Sequence, residues 1–273
     1  ALSKHWLAGV LAYLATAAFL LYALLTIVAL CRVRAGAPAE LGIAIAFLMG
    51  MMLCRPPLLA IIAFMLKVSD EAAGPLKWLA QVPGLWTIGT ICLILMAGFL
   101  GRLVGRVIRE ANLLLVVTVV AAGIDLWGVY WGPVGQITST EKGRAIAEQL
   151  SAAIPGVSAA TRAGLPVLTA IGIGDFLFVA MFFAVLRRLR LNQRATFWAV
   201  FAIMTVAPAF FLLGDRLPIA ENLPGLPFIG AGTIIANWKH FKFSRQEKHT
   251  LLIGAAIIIL LICAILLIKR LIA

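Results

Sequence analysis

Two acids stand apart from the rest of this sequence. The chain contains 11 acidic residues. Glu40, Asp70, Glu71, Glu110, Glu141, Glu148, Asp215, Glu221 and Glu247 lie in loops or at the ends of apolar runs. Asp125 and Asp175 lie inside such runs, at 111–131 and 163–186. A carboxylate at mid-bilayer costs about 2.5–3.5 kcal/mol on insertion scales, so each of these two requires a reason. Two carboxylates held close cannot both ionise cheaply, and one then keeps its proton. The ionised member can take a proton from water while the protonated member donates to a carbonyl oxygen. This is the equipment for peptide hydrolysis without a covalent intermediate. The same acids could instead serve as a proton or cation path in a transporter or channel, or as structural contacts to neighbouring helices.

Other residues cluster around this chemistry. In "GIGDFLF" (172–178), Gly172 and Gly174 directly precede Asp175. Glycine removes side-chain bulk and lets another backbone come close. In "NLPGLPF" (222–228), two prolines within four residues disfavour regular helix. Free backbone groups at Pro224, Gly225 and Leu226 could pair with an unwound peptide by strand addition, although an ordinary turn fits the same composition. Arg55, in "CRPP", interrupts an apolar run. It reads as a snorkelling or paired side chain at a proline kink, or as a cation placed beside the acids. "GFLGRLVGR" (98–106) carries glycines at spacings suited to close helix packing. Cys31, Cys54, Cys92 and Cys263 show no metal or disulfide spacing and read as apolar packing residues. His5, His240 and His249 lack partners at ligand spacing, so the sequence implies no metal and no cofactor.

The elements that must position these groups are apolar runs. The 273 residues are 63% hydrophobic and 12% charged, where a soluble domain carries about 25% charged residues. Eight runs reach or approach spanning length: 7–30, 41–66, 78–101, 111–131, 163–186, 195–214, 222–238 and 250–268. The first is too long for a signal-peptide core. The sequence thus predicts an all-α, polytopic transmembrane helix bundle of about 7–8 segments in a lipid bilayer. The net charge of +12 would suit nucleic acid in a soluble protein. Here the bases sit in short clusters between apolar runs, which is the pattern of cytoplasmic membrane loops. The dense clusters around Arg34, Arg106, Arg188 and Lys242 fall on one side if all eight runs span. That side is expected to be cytoplasmic, with both termini opposite. Helical rise measured from Trp131 and Pro166 puts Asp125 and Asp175 about 9 and 14 Å from the other side. Helices joined by one connection are usually neighbours, so the two acids are expected to face each other.

The order of motifs resembles the presenilin and signal peptide peptidase family of GxGD intramembrane aspartyl proteases. "DLWGVYWGPVGQ" (125–136) is similar to the segment carrying that family's first acid, and "GIGDFLF" to its GxGD motif. "PGLPF" (224–228) stands where the family has Pro-Ala-Leu, with one uncharged helix between the second and third motifs. The central Ala is Gly225 here, and the Tyr usual before the first acid is Ile124. The resemblance covers about half the chain. It implies a presenilin-like catalytic core at 111–238, preceded by N-terminal transmembrane helices at 1–110 and followed by a basic loop and a last helix at 239–273. It implies Asp125 and Asp175 as the catalytic pair. Gly172, Gly174, Pro224, Gly225 and Leu226 would hold substrate. The substrates would be transmembrane segments or signal-peptide remnants, entering in the signal-peptide-peptidase sense. GxGD also occurs in prepilin peptidases, but the Lys common near their acid is absent beside Phe176 and Leu177.

Overall fold

The computed structural model describes residues 2–55, 84–130, 140, 143, 150–153, 170–213, 225–242, 244 and 245. The chain is mostly helical. The helices are α1 (Leu2–Leu30), α2 (Ala37–Cys54), α3 (Leu85–Gly105), α4 (Ala111–Tyr130), α5 (Ile173–Arg188), α6 (Gln193–Leu213) and α7 (Leu226–Asn237). Two short strands, β1 (Ser151–Ala153) and β2 (Ala170–Gly172), pair antiparallel with Ser151 opposite Gly172 and Ala153 opposite Ala170. The all-α expectation therefore holds except for this ribbon.

Within α1, α2, α3 and α4, the stretches Tyr13–Leu30, Ala37–Cys54, Leu85–Gly105 and Ala111–Val129 are long and apolar enough to cross a membrane. The outer faces of α1, α2 and α4 are apolar and exposed, with Leu14, Tyr22, Leu25, Ile45, Met49, Leu53, Val119 and Ile124 uncovered. A water-soluble protein would not leave so much contiguous apolar surface bare. The protein is a membrane protein by this criterion. The run at 250–268 and the second half of 41–66 lie outside the described residues.

Glycine decides how closely the helices approach. A Cβ at Gly101 would collide with the Leu177 carbonyl of α5, and one at Gly105 would sit 3.2 Å from the Met181 carbonyl. A Cβ at Gly98 would meet a Leu30 methyl at 2.7 Å. The small-residue reading of "GFLGRLVGR" is thus correct: α3 lies backbone-to-backbone on α5. In turn α5 is buried along most of its length, from Phe176 through Val179–Phe183 to Leu186. Gly230 and Gly232 do the same for α7, against Thr118 of α4 and Val200 of α6.

The basic loops gather at one end of the bundle. Arg102 donates to the carbonyls of Leu30 and Val33 and to Glu40 Oε1 (2.5 Å), and Arg106 donates to Glu40 Oε2 (2.9 Å) and to the Ala35 carbonyl. Arg188 donates to the Arg106 carbonyl. Asn192 N–H donates to Asn237 Oδ1, and Asn112 exchanges hydrogen bonds with the Lys242 backbone. Two charges read from sequence as loop residues are therefore buried structural groups. Glu40 is 1% exposed and Arg102 is 8% exposed. The guanidinium of Arg106 is held charged, its pKa raised by its hydrogen bond to Glu40.

Two boundaries differ from the sequence expectation. The run at 163–186 is not helical throughout: β2 occupies Ala170–Gly172, and α5 begins only at Ile173. Asp175 is therefore in the first turn of its helix rather than mid-helix. The run at 222–238 forms a helix of 12 residues, about 18 Å long at 1.5 Å per residue and too short to cross a bilayer core of about 30 Å.

Candidate active site

The depth of the two acids is best counted from the basic end. Helix α4 starts there at Ala111 and rises 14 residues to Asp125, about 21 Å. Helix α5 ends there at Arg188, 13 residues beyond Asp175, about 20 Å. The match in height expected from the opposite side thus survives on a different basis. The earlier estimate assumed a continuous helix before Asp175, where the chain is instead a strand.

Periodicity orients each acid inward. Leu114, Thr118, Ala121, Asp125 and Gly128 recur at spacings of three and four, the period of one helical face, and that face of α4 is covered while Ile124, Leu126 and Trp127 are exposed. On α5, Asp175, Val179, Phe182 and Leu186 recur in the same way, and the last three are buried.

The acids do not meet through packing of α4 against α5. Helix α5 makes its most extensive contact with α3, and α4 packs on α7. The expectation that these consecutive helices are close neighbours is corrected accordingly. The N-terminus of α7 comes between the two acids. Leu226 N–H donates to Asp125 Oδ2 at 3.1 Å. One residue earlier, the Gly225 Cα faces the Asp175 carboxylate so closely that a Cβ would lie 2.6 Å from Oδ1. Adjacent residues of "PGLPF" therefore touch both acids.

Local chain chemistry explains this junction. Gly225 precedes α7 without a side-chain cap, and Pro227 in its first turn has no N–H. The free Leu226 N–H finds a carboxylate on another helix, where the positive end of α7 also favours it. Asp175 sits two residues into α5, close behind Gly172 of β2. This arrangement is that of a first-turn acid reaching back to the residue before the helix.

Of the residues singled out from sequence, Asp125, Asp175, Gly172, Gly225 and Leu226 are brought together. A Cβ at Gly172 would be 3.8 Å from Asp175 Oδ2. Gly174 faces open space, with nothing within 4 Å of an added Cβ. Pro224 lies outside the described residues. Beside Asp175 is a pocket lined otherwise by apolar groups, among them Leu24, Ile27, Phe176, Val179, Met204 and Ile229. Its walls come from α1, α5, α6 and α7. The contribution of α1 was not foreseen, because a uniformly apolar run carries no mark of which face is lined.

Arg55 is not near-surface and does not snorkel. It is 0% exposed, and its guanidinium donates to the Ser151 carbonyl of β1 and to Thr90 Oγ1, each at 3.0 Å. It follows the end of α2, where Pro56 disfavours helical backbone for the residue before it.

The fold and site together define a helical membrane protein with two carboxylates on separate helices, each against the N-terminus of a third. No family model, curated protein or solved structure matches the chain.

Proposed function

We propose that the protein is an intramembrane aspartyl protease of the presenilin and signal peptide peptidase kind, with seven or eight membrane segments in all. The observation that carries this reading is the seating of Gly225 and Leu226 between Asp125 and Asp175. This seating brings residues from three separated stretches of the sequence, at 125, 175 and 225–226, to one place.

Water is the nucleophile. The ionised carboxyl takes a proton from water as its oxygen bonds to the scissile carbonyl carbon. The protonated carboxyl gives its proton to the carbonyl oxygen, forming a neutral tetrahedral diol. The carboxyl that took the proton from water gives it to the amide nitrogen while the other carboxylate takes a proton from a diol hydroxyl, so that the C–N bond breaks and acid and amine leave. No covalent enzyme intermediate and no cofactor is needed.

Substrate presentation has support on both sides of the dyad. No described strand pairs with the outer edge of β2, which runs directly into Asp175. An unwound transmembrane peptide can add there by main-chain hydrogen bonds. The open space at Gly174 leaves room for it.

The test is cleavage of a transmembrane peptide in lipid vesicles by Asp125→Asn and Asp175→Asn, made separately. Each substitution is expected to abolish product. Continued cleavage by either variant refutes the dyad. Proton or cation flux without cleavage in the wild type would assign the same acids to a transporter or channel.

A further inference from the structure

Arg55 is a buried cation with an assembled cradle, and the dyad chemistry does not use it. On α3, Gly89 and Thr90 lie three and four residues after Trp86, so the three share a helix face. The Arg55 guanidinium carbon lies 4.7 Å from the centre of the Trp86 ring, a cation–π distance. Gly89 makes room, because a Cβ there would fall 2.9 Å from Arg55 Cγ. Thr90 Oγ1 accepts from the guanidinium and itself donates to the Trp86 carbonyl.

The remaining arm of Arg55 reaches β1. Ile173 N–H donates to the Leu150 carbonyl at 3.2 Å, one step beyond the Ser151–Gly172 pair. Antiparallel pairs alternate, so the Ser151–Gly172 and Ala153–Ala170 pairs are the non-hydrogen-bonded ones. The Ser151 carbonyl therefore points away from β2, and it is this carbonyl that Arg55 holds at 3.0 Å. Asp175 stands three residues beyond Gly172.

We propose that Arg55 is a positioning residue: anchored on α3 by Trp86 and Thr90, it fixes β1 through the Ser151 carbonyl, and the β1–β2 pairing then sets where α5 begins and where Asp175 points. The catalytic consequence rests on the protease reading; the clamp itself does not. Lys is a poor substitute, because a single ammonium lacks the planar fork that serves two acceptors and the ring face together.

The experiment measures the ribbon directly. In the full chain, with Cys31, Cys54, Cys92 and Cys263 replaced by Ser, cysteines are placed at Ala153 and Ala170. A non-hydrogen-bonded pair has Cα atoms about 4.5 Å apart, within disulfide reach. Rapid cross-linking under mild oxidation is expected with Arg55. Arg55→Gln and Arg55→Lys should each slow it at least about five-fold, as pairing becomes intermittent. Cross-linking of Arg55→Gln at the parent rate overturns the clamp. Should Arg55→Gln fail to elute as a folded species, Thr90→Val decides, since it keeps the cation and removes one anchor; an unchanged rate there is equally refuting. For catalysis, Arg55→Gln should lower kcat about ten-fold or more and raise KM, since β2 also offers the edge to which substrate adds, and forming the 153–170 disulfide should restore both. A closed disulfide without restored kcat refutes the positioning role. Absence of cleavage in every form, parent included, sinks the protease reading and leaves the cross-linking result to stand alone.

Discussion

Replacing Gly225 by Ala would turn "PGL" into the Pro-Ala-Leu triplet that this stretch resembles, yet the structure predicts that it disables the site. The added Cβ would lie 2.6 Å from Asp175 Oδ1 and 2.8 Å from both Cγ and Oδ2. Ordinary contact begins at 3.4 Å, so the carboxylate or the α7 terminus must retreat by about 0.8 Å. Retreat of Asp175 moves it away from its partner acid. Retreat of α7 instead pulls Leu226 N–H from Asp125 Oδ2, now 3.1 Å away. In the first case Asp175 is displaced by close to 1 Å, and in the second Asp125 loses the donor that orients it; a misplacement of that size costs about 100-fold in rate. The steric cost to stability is about 1–3 kcal/mol. The assay is kcat on a transmembrane peptide in vesicles, with thermal unfolding measured in parallel. We expect kcat to fall about 100-fold while the protein remains folded. A Gly225→Ala protein that cleaves within about three-fold of wild type, a change of under 1 kcal/mol, would show that the contact between Gly225 and Asp175 does not position the acid.

Four further outcomes follow from particular contacts. Gly174→Ala meets no atom within 4 Å, so it should leave the unfolding midpoint unchanged and raise KM by crowding the peptide; an unchanged KM would remove Gly174 from the substrate path. Glu40→Gln leaves the buried Arg102 without its charge partner and should cost about 3–5 kcal/mol, read as a fall in unfolding midpoint that a surface ion pair could not produce. Gly101→Ala drives a methyl into the Leu177 carbonyl and should cost about 1–3 kcal/mol by denaturant titration, with Gly42→Ala, which meets nothing within 4 Å, as a control that loses no stability and gains up to about 1 kcal/mol. Burial pushes the Cys31 thiol up to about 11, against the opposing pull of Arg102 and Arg187. Because the thiolate is the reactive form, alkylation of Cys31 at pH 8 should run about 100-fold slower than for an exposed thiol and accelerate as pH rises toward that value.

Much of this was readable before any coordinates. Uncharged runs separated by basic clusters suffice to indicate membrane helices, because lipid tolerates few charges and no unsatisfied backbone. The same rule isolates Asp125 and Asp175. The glycines of "GFLGRLVGR" read correctly as a close helix contact, since small residues at that spacing let two helix backbones approach. Only the family resemblance implied that Gly225 and Leu226 would stand near the acids; the residues by themselves fitted an ordinary turn equally well.

What the sequence could not decide was which groups turn inward and what they meet. Glu40 and Arg102 look like loop charges until α2 and α3 are packed, because an ion pair 62 residues apart leaves no local trace. The strand before Asp175 was hidden, since "AIG" is as apolar as the helix that follows and pairing depends on a partner far away in the chain. Arg55 shows no local sign of its role: its acceptors are a carbonyl of β1 and a hydroxyl of α3. The adjacency of the two acids is likewise a tertiary fact. Their residue types follow from the sequence, but their meeting depends on α7 being wedged between α4 and α6 on glycines, which brings one short helix end against both carboxylates.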